Sequence, residues 1–368
     1  MTQKEPAVLV INDVHLHLNT LETAKDVLGQ AVALCTALGI KYIIINGDLF
    51  TERKGQPLEA LLVALWFKQL CFDAGLIVLA IPGNHDKTDQ EAEESFLDIF
   101  HGGEFFVYSK ESVVSIKGAG GTPLRVWLLP YFPETGSLPG RLDTLVHQLC
   151  TQKDRDQQQE EFDDYYTQKN VLCMHAAVSG VRNNDGSEVK NNLATHLFKM
   201  FDSVVVGHYH NYSKLGENIH YTASAYPRNH GEDNDKGFTI VYVDGSLERK
   251  KAMFPQYVSY DLAPEDLTGE KIKALRLRTE STDDVMRVVV RATKAELKGF
   301  DLAPLLAMGI DAKKKPLELD EAIEAAVENR VESHTVQTLH EQFEHFASSN
   351  GYNEEVTEEG RNILAKLK

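Results

Sequence analysis

Residues 76–86 read LIVLAIPGNHD. The first six are apolar and half of them β-branched, a short run of the kind that forms a buried strand. Pro82 stops it, and Gly83-Asn84-His85-Asp86 then sets polar groups at its carboxyl end. The same arrangement recurs four times. Residues 7–11 lead into Asp13-Val14-His15, 42–45 into Gly47-Asp48, 171–174 into His175, and 203–206 into Gly207-His208-Tyr209-His210. A further strand, 124–129, is stopped by Pro130.

Helical patterns lie between the strands. Asn19, with Glu22 three residues on, has the form of a capping box, and Leu21, Ala24, Leu28 and Ala31 step at helical spacing up to Gly39. Pro57 opens a second helix that reaches about residue 74, with Gly75 at its end. His15, Asp48 and His85 therefore follow one another at 33 and 37 residues, the length of a strand–helix–strand crossover. In a sheet wrapped by helices, ligands collect at the carboxyl ends of the strands, so the five motifs should meet on one edge.

Two Asp, one Asn and several His meet there. A lone His at a strand end is ordinarily a surface or hydrogen-bonded residue, and a lone Gly-Asp is as weak a signal. Five such motifs, each following an apolar strand, point instead to metal. Imidazole with carboxylate suits Mn, Fe or Zn, whereas Mg and Ca prefer oxygen alone. The donors are too many for one ion, and a carboxylate such as Asp48 can bridge two ions about 3.5–4 Å apart.

The order Asp-x-His, Gly-Asp, Gly-Asn-His-Asp, His and Gly-His-x-His resembles the calcineurin-like metallophosphoesterase superfamily over residues 7–245. The resemblance implies a four-layer α/β/β/α sandwich. It implies one metal on Asp13, His15, Asp48 and His210, and a second on Asp48, Asn84, His175 and His208. It makes His85 the proton donor to the leaving oxygen, oriented by Asp86. Gly47-Asp48-Leu49-Phe50, with a charged turn and a Pro-initiated helix after it, is similar to the SbcD-type nuclease subunits of double-strand-break repair and phage recombination. Residues 221–237, YTASAYPRNHGEDNDKG, share that nuclease pattern. His17 and Thr51 depart from it. On this resemblance residues 1–255 form the nuclease domain and 256–312 a small α+β capping domain. Residues 313–368 form a helical tail that binds an SbcC-type ABC ATPase. The expected activity is a DNA exonuclease or endonuclease using two divalent ions, Mn2+ foremost, in repair or recombination. A homodimer through the helical region around 58–74 is implied in the same way.

The rest of the sequence sets limits on these expectations. The chain has 368 residues, 42% hydrophobic and 25% charged, as in an ordinary globular protein. No apolar run approaches the ~20 residues of a membrane helix, and residues 1–6 lack the regions of a signal peptide. Four scattered cysteines suit a reducing cytoplasm. The net charge of −17 opposes unaided capture of nucleic acid. Part of it is local, since residues 316–368 hold 4 Lys or Arg against 12 Asp or Glu. Arg53, Lys54 and Arg228 are candidate DNA contacts beside the motifs. A phosphodiesterase or phosphatase for a small nucleotide or phosphoprotein is the alternative enzyme, and a DNA-tethering scaffold without catalysis the alternative outside enzymes. Residues 153–164 read as a solvated loop or helix end, 285–292 as a strand, 294–308 as mixed helix and loop, and 313–316 as a linker. In the tail, Leu319, Ile323 and Val327 form one apolar stripe. Val336, Leu339, Phe343 and Phe346 form another.

Overall fold

The computed structural model describes residues 4–160, 168–182, 187–191 and 193–317, with isolated positions from 343 to 361. The chain divides into two compact units, 1–258 with 280–285, and 259–279 with 286–368.

The first unit contains two six-stranded sheets. One holds β1 (Pro6–Ile11), β2 (Tyr42–Asn46), β3 (Ile77–Ile81), β4 (Phe105–Val107), β11 (Gly237–Tyr242) and β12 (Leu247–Lys251), in the order β12-β11-β1-β2-β3-β4. The other holds β5 (Ser112–Lys117), β6 (Pro123–Leu129), β7 (Asn170–His175), β8 (Ser203–Gly207), β9 (Ser213–Leu215) and β10 (Ile219–Tyr221), in the order β5-β6-β7-β8-β10-β9. β1, β2 and β3 run parallel, as do β6, β7 and β8.

Period-two alternation explains the layers. In β1, Val8 and Val10 enter a core shared with Val126, Leu128, Cys173 and Val205 of the other sheet. Leu9 and Ile11 face the opposite way, onto α1 (Leu21–Leu38) and α2 (Leu58–Asp73). In β6, Trp127 and Leu129 face away from the shared core, onto Leu142, Leu145 and Leu149 of α3 (Leu138–Glu160). Burial on both faces is why these strands read as continuous apolar runs. The expected four-layer α/β/β/α sandwich is the fold.

Two buried asparagines fasten the sheets to each other where the ligand loops emerge. Asn46 Nδ2 donates to the carbonyls of Met174 (3.1 Å) and Val205 (3.4 Å), and Asn12 Nδ2 to the carbonyl of Val206 (3.3 Å). Losing such a side chain leaves buried carbonyls unmet, at roughly 1–3 kcal/mol for each group.

Several local expectations change. α1 starts at Leu21 after a short 3-10 turn, and the side chain of its N-cap Thr20 makes no capping bond to the helix. The expected Asn19 cap is replaced by His17, whose ring accepts from the Asn19 amide at 3.2 Å. Gly39 ends α1 in the left-handed conformation (φ 69°), as expected. Of the stretch expected to be a solvated loop or helix end, residues 153–160 are the end of α3, while 161–164 lie outside the described residues.

The second unit is built on a three-stranded sheet, β13 (Tyr257–Leu262), β14 (Val285–Ala292) and β15 (Asp311–Pro316), in the order β13-β14-β15. Met286, Val288, Val290 and Ala292 alternate inward from β14. They pack with Leu275 of α4 (Gly269–Ser281), Leu297 of α5 (Lys294–Gly299) and Leu305 of α6 (Ala303–Leu306). The expected linker at 313–316 is instead β15, paired parallel with β14, so the boundary drawn between 312 and 313 falls inside a strand. Its lysines are exposed, and lysines and a proline suit an edge strand, which must discourage further pairing. Of the two tail stripes, Leu319, Ile323, Val327, Val336, Leu339 and Phe346 lie outside the described residues, whereas Phe343 is helical. No helix among the described residues is long and apolar enough to cross a membrane.

Candidate metal centre

The loops that leave β1, β2, β3, β7 and β8 converge on one edge of the sandwich. Asp13 (φ 48°), His15 (φ 49°), Asp48 (φ 51°) and His208 (φ 96°) all adopt the left-handed region, which costs a side-chain-bearing residue roughly 1–3 kcal/mol. Backbone bonds hold the turns there: Asp13 N to Gly47 O (3.2 Å), His15 N to Asp48 O (2.9 Å) and Leu16 N to Leu49 O (2.8 Å) extend the β1–β2 pairing past the strands. Gly47 is required for space as well as for its φ of 87°, since a Cβ there would collide with the His175 imidazole. At Gly83 it would meet the Asp48 backbone and carboxylate.

Three donor sets result, each with its ligand atoms within 4.8 Å of one another: Asp13 with His15 and His210, His15 with Asp48 and His85, and Asp48 with His175 and His208. Asp48 Oδ2 stands 3.5 Å from His15 Nε2 and 3.3 Å from His175 Nε2, so one carboxylate serves both sides. Asn84 Oδ1 faces His175 Nε2 at 3.2 Å and His208 Nδ1 at 2.9 Å. His15 Nε2 and His210 Nε2 point at each other across 3.1 Å. One proton between the two nitrogens satisfies this contact in the metal-free protein, and a cation held by both unprotonated nitrogens would take its place.

The electrostatics agree. Asp13, Asp48 and Asp86 are all buried. Burial works against a charge on His175, yet the Asp48 carboxylate beside it outweighs this and pushes its pKa up to about 9. Burial drives His208 down to about 3 and lowers His15 as well. Burial also raises Asp13. Asp48 is held well below its usual range, because His175, His15 and His85 outweigh its burial. The protein on its own thus draws a proton onto one imidazole to offset buried carboxylates. Divalent cations would supply that charge and leave the imidazoles neutral, as ligands must be. All seven expected ligands are in this cluster.

A family model described as Calcineurin-like phosphoesterase matches residues 6–212, more than half of the chain and the span holding all seven of these residues. The chain belongs to the calcineurin-like phosphoesterase family. Among solved structures it is similar to the calcineurin-like phosphoesterase YfkN from Bacillus subtilis. That likeness has 12% identity and a TM-score of 0.37, over 68% of this chain and 89% of that one. No curated protein matches at a significant level. A metal-dependent phosphoesterase is the activity that family and donor set carry together.

Around the cluster of this phosphoesterase, further groups aim the ligands. His175 Nδ1 lies 3.1 Å from the Asn46 carbonyl, which turns Nε2 toward the centre. His210 Nδ1 lies 3.0 Å from Glu232 Oε1, a carboxylate–histidine pair of the kind that fixes a ligand's tautomer. Lys236, 1% exposed, pairs with Glu232 at 3.4 Å and donates to the His210 carbonyl at 2.6 Å. Tyr131 stacks on His208 with ring centroids 6.0 Å apart. Asn12, Asn46, Tyr131, Glu232 and Lys236 escaped the sequence reading as site residues. A polar residue closing an apolar strand run, as at Asn12 and Asn46, is the signal that could have found two of them.

His85 sits at the rim. Its backbone N–H donates to Asp48 Oδ1 at 2.7 Å, and its Nδ1 lies 2.6 Å from the Thr51 carbonyl. Asp86 does not orient it, contrary to expectation. The Asp86 carboxylate accepts from the amides of Gly83 (2.9 Å), Phe50 (3.0 Å) and Leu49 (3.3 Å), and so binds the β2 loop to the β3 loop. Its burial, reinforced by Asp48, pushes its pKa up to about 7. Buried below the loops, it acts as a brace for them.

Of the candidate DNA contacts, Arg53 is exposed with Nη2 3.4 Å from His85 Nε2. Arg228 is half-buried and near enough for its charge to help depress His15. Lys54 is exposed in the same loop as Arg53, and nothing among the described residues ties it to the cluster.

Proposed function

We propose that the protein is a two-metal phosphodiesterase that cuts DNA. The observation that carries the reading is Asp48, whose Oδ2 stands between His15 and His175, with His85 and Arg53 at the open rim beside it. Two divalent ions held there would polarise the phosphoryl oxygens and bring water to its nucleophilic form. The chain's own groups then have distinct tasks. Asp13, His15 and His210 define one position, and Asn84, His175 and His208 the other. Thr51 holds the proton on His85 Nδ1, so that His85 Nε2 can carry a second proton to a leaving oxygen. The Arg53 guanidinium, 3.4 Å from that nitrogen, can take a non-bridging phosphate oxygen.

We further propose Mn2+ as the working ion, since the imidazole, carboxylate and amide donors suit it better than Mg2+. The protein would act in a reducing cytoplasm, in DNA repair or recombination, as a homodimer. An SbcC-type ABC ATPase would be its partner, contributing the DNA-binding surface that a chain of net charge −17 lacks. That charge favours the second reading, a phosphodiesterase or phosphatase for a small nucleotide or phosphoprotein.

Incubation with linear DNA, single-stranded circular DNA and bis(p-nitrophenyl) phosphate, each with Mn2+, Mg2+ or chelator, separates the two. Metal-dependent cleavage of either DNA supports the nuclease. Hydrolysis of the aryl ester with both DNAs left intact, even with the ATPase present, supports the small-substrate enzyme.

A further inference from the structure

We propose that the cleft beside His210 is a nucleotide subsite. It would take the base and phosphate next to the bond being cut, and the inference rests on the nuclease reading above. The cleft measures about 450 Å³ and runs from His210 along Tyr209, Asn211, Tyr212, Lys214 and Arg182. Its size lies within the ~300–1,000 Å³ of ordinary small-molecule sites.

The lining has the groups a nucleotide needs. Arg182 and Lys214 are exposed cations that face one cleft on an acidic protein, and charge-assisted bonds from such groups recognise phosphate oxygens. Tyr212 is a large ring left 42% exposed, and the Arg249 guanidinium lies 4.5 Å from its centroid. Arg249 is itself tied to Asp235 at 2.6 Å. The ring is thus supported from behind as a platform, and stacking on such a platform accepts any base. Asn211 Oδ1 is already used by Lys236 Nζ (2.7 Å) and the Asp233 amide (3.3 Å), which leaves its Nδ2 donors for a ligand.

The cleft is also fixed relative to the metal ligands. Lys236 donates both to the His210 carbonyl and to Asn211, while its ion-pair partner Glu232 holds the His210 ring. One buried ion pair therefore sets the ligand imidazole and the cleft wall together. A nucleotide seated here would hold its neighbouring phosphodiester at the metal centre. A peptide is the poorer occupant. β9, at the edge of its sheet, forms part of the wall, but its three residues give too short a ladder for a peptide strand.

The test uses the full chain with Arg182→Ala, Lys214→Glu and Tyr212→Ala, three exposed positions. The selectivity, kcat/KM for a short oligonucleotide over kcat/KM for bis(p-nitrophenyl) phosphate, should fall about tenfold for each variant, carried by KM for the oligonucleotide. Equal losses on both substrates, or no loss on either, would overturn the subsite. In parallel, AMP and a phosphoserine peptide are titrated into the chelated protein. Weaker AMP binding by all three variants supports the subsite even if the wild type cuts no DNA, in which case only the nuclease reading fails. Wild-type binding of the peptide without AMP, or AMP binding unchanged in the variants, overturns it.

Discussion

The Thr51 carbonyl oxygen lies 2.6 Å from His85 Nδ1. A carbonyl can only accept, so this contact keeps a proton on Nδ1 and leaves Nε2 as the working nitrogen of the ring. Its partner is a backbone atom, which no substitution at position 51 removes. The His85→Asn variant should lose about 10²–10⁴ in kcat, the usual worth of a general acid, with its metal content unchanged. Loss of metal from this variant, measured by elemental analysis, would mean that His85 is a ligand and that the proton-transfer role is wrong.

Glu232 aims His210 without being a ligand itself. Glu232→Gln keeps the size of the side chain and weakens its hold on His210 Nδ1. Metal affinity should fall about 10–100-fold at the His210 position, as when other groups behind a ligand are altered. Activity should recover as Mn2+ is raised. A loss that excess metal fails to rescue would contradict a positioning role.

The fold and the cluster of candidate ligands were legible because both rest on short-range patterns. Continuous apolar runs mark β1, β2, β3, β6, β7 and β8, and the residue after each run reports the sheet edge. What failed depends on tertiary contact. Three lysines at 313–315 read as a linker because no local pattern announces pairing with β14. Asp86 stands beside His85 in sequence, but its carboxylate turns toward the amides of a loop more than thirty residues earlier. Glu232 lies 22 residues from the imidazole that it holds, and no spacing rule connects them.

Stability should depend on pH in opposite ways with and without metal. Burial pushes Asp86 from its ordinary 3.8 up to about 7, and Asp48 outweighs burial to push His175 from 6.5 up to about 9. Both groups hold protons in the folded chelated protein that they would release on unfolding, so stability falls as pH rises through these ranges. His175 contributes fully below pH 6.5, and its contribution is lost by about pH 9. Bound Mn2+ supplies the charge instead, and its ligands deprotonate more readily as pH rises. The gap in Tm between Mn2+-loaded and chelated protein should widen from pH 6 to 9. A gap that narrows would contradict the charge assignment.

Two partner surfaces can be tested directly. Leu58, Leu62 and Leu65 are each more than half exposed on α2 and Trp66 is 36% exposed, while Ala60, Val63, Ala64, Phe67 and Cys71 form its buried face. If the outer stripe is the homodimer contact, Leu62→Glu with Leu65→Glu should give a monomer by light scattering at unchanged far-ultraviolet circular dichroism. A monomeric wild type would end that proposal. Truncation after Leu317 keeps all of β15 and removes the remaining tail. It should abolish co-purification with the ABC ATPase, and retention at full affinity would place the docking site elsewhere.

The central claim is that Asp48 joins two metal ions in one phosphodiesterase centre, and metal stoichiometry tests it most directly. After dialysis against Mn2+ and removal of free ion, elemental analysis of wild type and Asp48→Asn should find about two ions per wild-type chain, as in two-metal sites. The variant should retain at most one and hydrolyse no bis(p-nitrophenyl) phosphate. Asp48→Asn protein that keeps both ions and full activity would contradict the account.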